Sequence, residues 1–187
     1  RAIMSDENVR IDAFLGPSHV SVITGSKIYK ELADEFKRPI AISGFEPLDI
    51  MASVLNLVRQ QNAGTYEVYN EYARAVKEEG NLRAKELIAK YFEPCDFVWR
   101  GLGEIAQSGM KLKDEFAYLD ARVQFDCSVE SAGESKACIC GQILRGLAKP
   151  TDCKVFGKVC NPQNPIGSCM VSSEGACAAY FKYARVG

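Results

Sequence analysis

The sequence has one histidine, one tryptophan, almost no net charge, no long apolar run and no internal repeat. A single histidine excludes a multi-histidine metal site and a histidine dyad. Lysine and arginine number 23 against 24 aspartates and glutamates, a formal charge of −1. Nothing electrostatic therefore points to DNA, RNA or an anionic membrane surface as the main partner. No apolar run approaches the roughly 18 residues of a membrane span. The opening residues, Arg1 to Asn8, lack the apolar stretch of a secretory signal, so a cytoplasmic location is expected. The chain starts on Arg1 rather than Met, as a fragment or a processed form would. No Cys-x2-Cys knuckle occurs, which weakens a structural zinc reading. No nucleophile elbow occurs either. A hydrolytic reading would rest on His19 with Ser18, Ser21 and Thr24, at no spacing that fixes a triad.

What is present suits a globular protein. The 187 residues are 47% hydrophobic and 25% charged, enough for one domain, or one and a small second, with a real core. Arg10–Leu15 reads as a short strand, broken at Gly16-Pro17-Ser18-His19. Val20 to Phe36 repeats apolar residues at helical spacing and predicts one helix ended by Pro39. Pro39 to Ser43 is a second apolar strand, followed by a break at Gly44-Phe45-Glu46-Pro47. Leu48 to Gln61 is helical, with Ile50, Met51, Val54, Leu55 and Val58 on one face. Strand, helix, strand, helix predicts Rossmann-like βαβ units in a mainly parallel α/β sheet. The loops Gly16–Gly25 and Gly44–Asp49 then share the carboxyl edge of the sheet, where α/β folds bind ligands. Tyr66–Val76 and Asn81–Phe92 predict two more helices, and Asp96–Arg100 a strand running into Gly101-Leu102-Gly103. Asp126 to Lys136 is polar and loop-like, and a loop-rich tail follows. The expected organisation is an α/β domain over 1–125 and a cysteine-rich region over 126–187.

Six of the eight cysteines lie in that tail: Cys138, Cys140, Cys153, Cys160, Cys169 and Cys177. Cys95 and Cys127 stand alone and read as free thiols. In a reducing compartment a thiol cluster is more often metal-binding or redox-active than disulfide-bonded. The spacing Cys138-x14-Cys153-x6-Cys160-x16-Cys177, with Cys140 and Cys169 between, sets thiols on well-separated loops. Such a set suits an iron–sulfur cluster held by four thiolates. Zinc, disulfides and buried free thiols remain alternatives on spacing alone. Lys136, Arg145, Lys149, Lys154 and Lys158 could offset the charge of a cluster, and Gly141, Gly157 and Gly167 would let amides approach its sulfurs.

Single residues carry competing readings. His19 serves as a proton donor or an iron or partner contact, or simply caps the following helix and faces solvent. Glu46 could bind a cation or shuttle a proton. Asp49 could do the same, but pairing with helix N-terminal amides suits it better. Trp99-Arg100 could contact a partner or the cluster region; core packing for Trp99 and a surface cation for Arg100 are the alternative, and the better one for Trp99.

The tail also carries a resemblance. Cys138-Ile-Cys-Gly, Ile143-Leu-Arg-Gly, Lys149-Pro-Thr-Asp-Cys153, Phe156-Gly-Lys-Val-Cys160 and the run Asn164 to Tyr180 resemble the HypD family of nickel–iron hydrogenase maturation proteins. So do Trp99-Arg-Gly-Leu-Gly, Phe45-Glu-Pro-Leu-Asp-Ile and Gly16-Pro-Ser-His-Val-Ser. The resemblance implies two α/β domains facing a cleft and a 4Fe–4S cluster ligated by Cys138, Cys153, Cys160 and Cys177, with Cys140 able to replace Cys138. Cys140 and Cys169, as spare thiols close to a cluster, could pass electrons to or from a disulfide by analogy with cluster-linked thiol reductases; two buried structural thiols are the equal alternative. His19, Glu46 and Asp49 fall in the two motifs that line the cleft. A cytoplasmic scaffold is expected, on which iron acquires cyanide and carbon monoxide as an Fe(CN)2CO group, with a HypC-like chaperone and a HypE-like cyanide donor. HypD chains are about twice as long and carry further cysteines in their N-terminal half, so this chain resembles the C-terminal half alone. A zinc- or disulfide-stabilised binding module without redox activity is the alternative.

Overall fold

The computed structural model describes residues 1–125 and 135–184. Cys127, most of the polar stretch Asp126–Lys136, and the expected boundary at 125/126 fall on or beside residues outside that set. By packing, the chain forms two compact units, Ile11–Phe92, and Arg1–Arg10 with Glu93–Gly187. The expected 1–125 domain follows a different line, since the second unit gathers residues 93–125 with the cysteines.

The Ile11–Phe92 unit is mixed α/β. Three short strands, β1 (Phe14–Gly16), β2 (Ile40–Ile42) and β3 (Val68–Asn70), form a parallel sheet in that order. Phe14 pairs with Ile40, Gly16 with Ile42, Ile40 with Val68 and Ile42 with Asn70. Ile40, Ala41 and Ile42 are all buried, as a central parallel strand covered on both faces must be. Helices α1 (Ser18–Thr24), α2 (Ile28–Phe36), α3 (Pro47–Ala63) and α4 (Leu82–Tyr91) complete the unit. The strand at 39–43 and the helices at 48–61 and 81–92 stand where the sequence predicts them, whereas β1 starts only at Phe14 and runs through Gly16, where a break is predicted. Asn81 caps α4, its side chain accepting the Ala84 N–H at 3.0 Å.

Three elements differ from expectation. The single helix over Val20–Phe36 is two, parted at Gly25, whose φ is +85°. Gly25 lies against Gly80 (φ +70°), and a Cβ on either would run into the other loop's backbone. Three main-chain hydrogen bonds lock the crossing: Ser26 to Lys77, Lys27 to Glu78 and Asn81 to Ile23. Tertiary approach thus overrides a continuous helical period. Tyr66–Val76 is not a helix but β3 followed by turns. Its aromatic and β-branched residues favour an extended chain, and short apolar runs do not separate the two states. In α3 the predicted apolar face exists but points outward. Asp49, Ser53, Leu57 and Gln60 are the buried residues of that helix.

The second unit holds a two-stranded ladder, β4 (Phe92–Trp99) with β5 (Gly103–Leu112). The strand near Asp96–Arg100 is thus present and longer; β5 is an addition the fading periodicity did not reveal. A 3-10 turn at Asp114–Leu119 and α5 (Ala121–Gln124) follow. The cysteine tail is organised by α6 (Cys140–Leu144), a 3-10 turn at Pro150–Asp152, α7 (Ser168–Val171) and α8 (Ala176–Tyr183). Its core is Cys140, Cys160, Cys169, Met170, Cys177 and Ala178, with Phe156 and Ile166 packed against it. The N-terminal segment is tied to this core through the Arg10 N–H on the Arg145 carbonyl (3.0 Å) and the Arg145–Asp6 ion pair (3.4 Å). Among the described residues no helix is long and apolar enough to cross a membrane.

Candidate functional site

The parallel sheet brings its loops to one edge, as its register requires. The segments after β1, β2 and β3 carry His19, Glu46 with Asp49, and Arg74. Arg74 joins two of them. Its guanidinium donates to both oxygens of Asp49, Nη1 to Oδ1 at 3.2 Å, and also to Glu46 Oε2. The same group lies 4.5 Å over the Tyr72 ring. Asp49 is the enclosed member, its side chain 11% exposed against 63% for Glu46. The Arg74 guanidinium, with help from Glu46, holds the Asp49 carboxyl below the usual carboxylate range. Gly44 makes room, because a Cβ there would overlap the Asp49 carboxylate and press on Tyr72.

The predicted residues therefore take unequal parts. Asp49 is a positioning group with both oxygens committed to Arg74. Glu46, exposed, keeps a carboxylate that a cation or proton can reach. His19 lies in the first turn of α1, exposed to solvent, its ring stacked on Phe45 at 5.9 Å. The neighbouring hydroxyls serve the backbone: Ser18 donates to the Ser43 carbonyl, Ser21 to Pro17 (2.7 Å) and Thr24 to Val20 (3.2 Å). None is presented as a nucleophile. Arg74 and Tyr72 lie in a segment whose pattern predicts a helix; as the continuation of a third parallel strand, it belongs to the same edge.

In the second unit the fold collects all six tail cysteines. Cys140, Cys153, Cys160, Cys169 and Cys177 are buried and Cys138 is half-buried. Cys169 Sγ stands 3.2 Å from Cys177 Sγ, and Cys140 Sγ 3.2 Å from Ser168 Oγ. The Ile166 N–H donates to Cys160 Sγ at 3.4 Å. Burial pushes the Cys138, Cys169 and Cys177 thiols up, and neighbouring sulfurs add to the shift. These groups stay protonated until a cation displaces the protons. The seven described cysteines, Cys95 included, are free thiols.

The donors are soft, buried thiols, a ligand type that zinc and iron–sulfur clusters share. Among the described residues, no group of three or more His, Cys, Asp or Glu side chains is placed to hold a metal ion. Tetrahedral zinc with bonds of about 2.3 Å would draw its sulfurs to about 3.8 Å from one another. A four-iron cube gives each thiolate its own iron and holds the sulfurs wider apart. The thiols here sit on separate short helices and turns, within an apolar wall of Phe156, Ile166 and Met170. Beside Cys138 and Cys140 opens a cavity of about 450 Å³, lined also by Arg100, Lys136, Arg145 and Ser168. Arg100 and Lys136 in that lining carry the sign of charge an anionic cluster needs, while Arg145 is already paired with Asp6. Arg100 thus lies beside the cysteines, whereas Trp99 is no core residue: it is 43% exposed, donates to Ser108 Oγ at 2.7 Å and packs edge-on to Phe97.

Comparison with known proteins agrees on one family. The family HypD, described as "Hydrogenase formation hypA family", matches residues 1–184. Hydrogenase maturation factor HypD2 of Bradyrhizobium diazoefficiens is 55% identical over 178 residues, 95% of this chain and 47% of its own length. Hydrogenase maturation factor HypD of Cupriavidus necator is 51% identical over the same shares. A hydrogenase expression/formation protein of Methanocaldococcus jannaschii is 43% identical over 181 residues, 97% of this chain and 51% of its own. The chain thus spans about half the length of the curated relatives it matches.

Proposed function

The chain belongs to the HypD family, and from that premise we propose that it acts in hydrogenase maturation as a scaffold carrying a 4Fe–4S cluster. The observation that carries the reading is the gathering of Cys138, Cys140, Cys160, Cys169 and Cys177 in and around one small core, with Cys153 also buried in the same unit. Cys138, Cys153, Cys160 and Cys177 are the ligands. The cluster, when bound, supplies one-electron chemistry. Everything else is the work of this chain. Phe156, Ile166 and Met170 keep water from the sulfurs. The Ile166 amide and the cations Arg100 and Lys136 offset negative charge. Cys140 and Cys169 stand among the ligands as spare free thiols.

The acidic edge of the Ile11–Phe92 unit handles the cargo. Its substrate is iron on its way to becoming the Fe(CN)2CO group. Glu46 offers a carboxylate, His19 an imidazole, and Asp49 with Arg74 fixes the loop that presents them. A HypC-like chaperone and a HypE-like cyanide donor are the partners, in the cytoplasm.

The test is iron and acid-labile sulfide per chain, with an absorption spectrum, on protein purified without oxygen. About four of each with broad visible absorption is the expected result. About one zinc per chain, or paired thiols without metal, would overturn it and leave a binding module.

A further inference from the structure

Helix α3 is built inside out for a helix at the surface of a monomer. Its buried residues, Asp49, Ser53, Leu57 and Gln60, are mostly polar. On the opposite side Leu48 is 76% exposed and Met51 70%, and Val54, Leu55 and Val58 are each close to half exposed. At 100° per residue the centre of this stripe falls almost opposite the centre of the buried set. The positions 48, 51, 55 and 58 repeat by three and four, the seam along which one helix packs on another.

The five side chains together expose on the order of 500 Å², in the upper part of the largest patch on an ordinary monomer. A stable complex of separate proteins hides about 800 Å² on each partner, a little over half of it apolar, so a second copy is the competing occupant that the test must separate. Interfaces between domains of one chain hide roughly 300–750 Å² per side, which the stripe matches. This chain covers only 47% of the length of HypD2 and of the C. necator HypD.

We infer that the outward face of α3 is an interface between halves of a HypD-family protein, covered by an amphipathic helix from the portion of the family chain that this sequence does not match. The inference rests on the family membership and not on the cluster.

The test co-expresses this chain with the segment of B. diazoefficiens HypD2 outside the 178 matched residues and measures association by sedimentation. A one-to-one complex is expected. Leu55→Lys and Met51→Lys should each weaken it at least ten-fold, and Lys30→Glu, on α2, should leave it unchanged. Both lysine variants keep a helix-favouring residue at an exposed site, and their circular dichroism confirms the fold. Absence of a complex, or one indifferent to both lysine variants, overturns the inference. So does a dimer of this chain alone that Leu55→Lys dissolves, since a second copy would then be the occupant. Iron and sulfide are read in the same preparations: a lost complex with iron retained refutes the interface alone, and a retained complex without iron refutes the cluster alone.

Discussion

Replacing Gly25 and Gly80 by alanine, singly and together, tests whether the two loops are held apart from other conformations by each other. Each glycine has positive φ, which costs an L-residue roughly 1–2 kcal/mol. Each alanine Cβ would also meet backbone of the opposite loop, so the loops must part. Parting breaks the hydrogen bonds Ser26–Lys77, Lys27–Glu78 and Asn81–Ile23, together worth about 3 kcal/mol net. Either single variant should therefore lose about 4–5 kcal/mol. In the double variant the conformational cost is incurred twice, but the loops part only once. Its loss should be about 6 kcal/mol, some 3 kcal/mol short of additivity, within the range for residues in contact. Urea unfolding followed by circular dichroism gives the midpoints, and an unchanged slope confirms that the denatured state is comparable. Hydrogen exchange at Ile40–Ile42 reports the same change from the sheet itself. A double variant within about 0.5 kcal/mol of the sum would show that the strain is local to each glycine and refute the crossing as the cause.

The cysteine core and the acidic edge make further claims. Cys138→Ala should lose iron and sulfide in anaerobic preparations, whereas Cys140→Ala should keep them; iron retained in Cys138→Ala and lost in Cys140→Ala would exchange their roles. Asp49, whose folded pKa lies below its unfolded value, contributes stability above about pH 4 that is lost as pH falls through the folded value. Arg74→Gln should raise the Asp49 titration and flatten the acid limb of the stability–pH profile, leaving its slope near pH 7 unchanged. Carboxyl NMR and urea midpoints between pH 2 and 5 read both, and an unmoved Asp49 titration would mean that Arg74 does not govern it.

The sequence disclosed the parts whose signals are local. Buried parallel strands announce themselves as apolar runs, so Ile40–Ile42 was legible, and Pro47 with Gly64 brackets α3 by ordinary end chemistry. The cysteines were legible because thiols are rare and their bias to one end is unmistakable. What stayed hidden depends on distant neighbours. Nothing near Gly25 tells that Gly80 lies against it. Arg74 is 25 residues from Asp49, and its segment fits a helix as well as a strand. The apolar stripe of α3 was visible, but the direction it faces was not: periodicity shows that a helix has two sides, never which one meets the sheet.

The cysteine-bearing unit is made of two stretches of chain, Arg1–Arg10 and Glu93–Gly187, with the sheet-bearing unit between them. Synthesis therefore delivers the pieces out of step. Arg10 leaves the ribosome long before the carbonyl of Arg145 to which it bonds, a delay of roughly 7–27 s at ordinary translation rates. The interposed unit can complete itself in that time, while the first ten residues wait without their partner. Cys177, on the final helix, is the last thiol to arrive. The full set of tail sulfurs therefore exists only once α8 has been made.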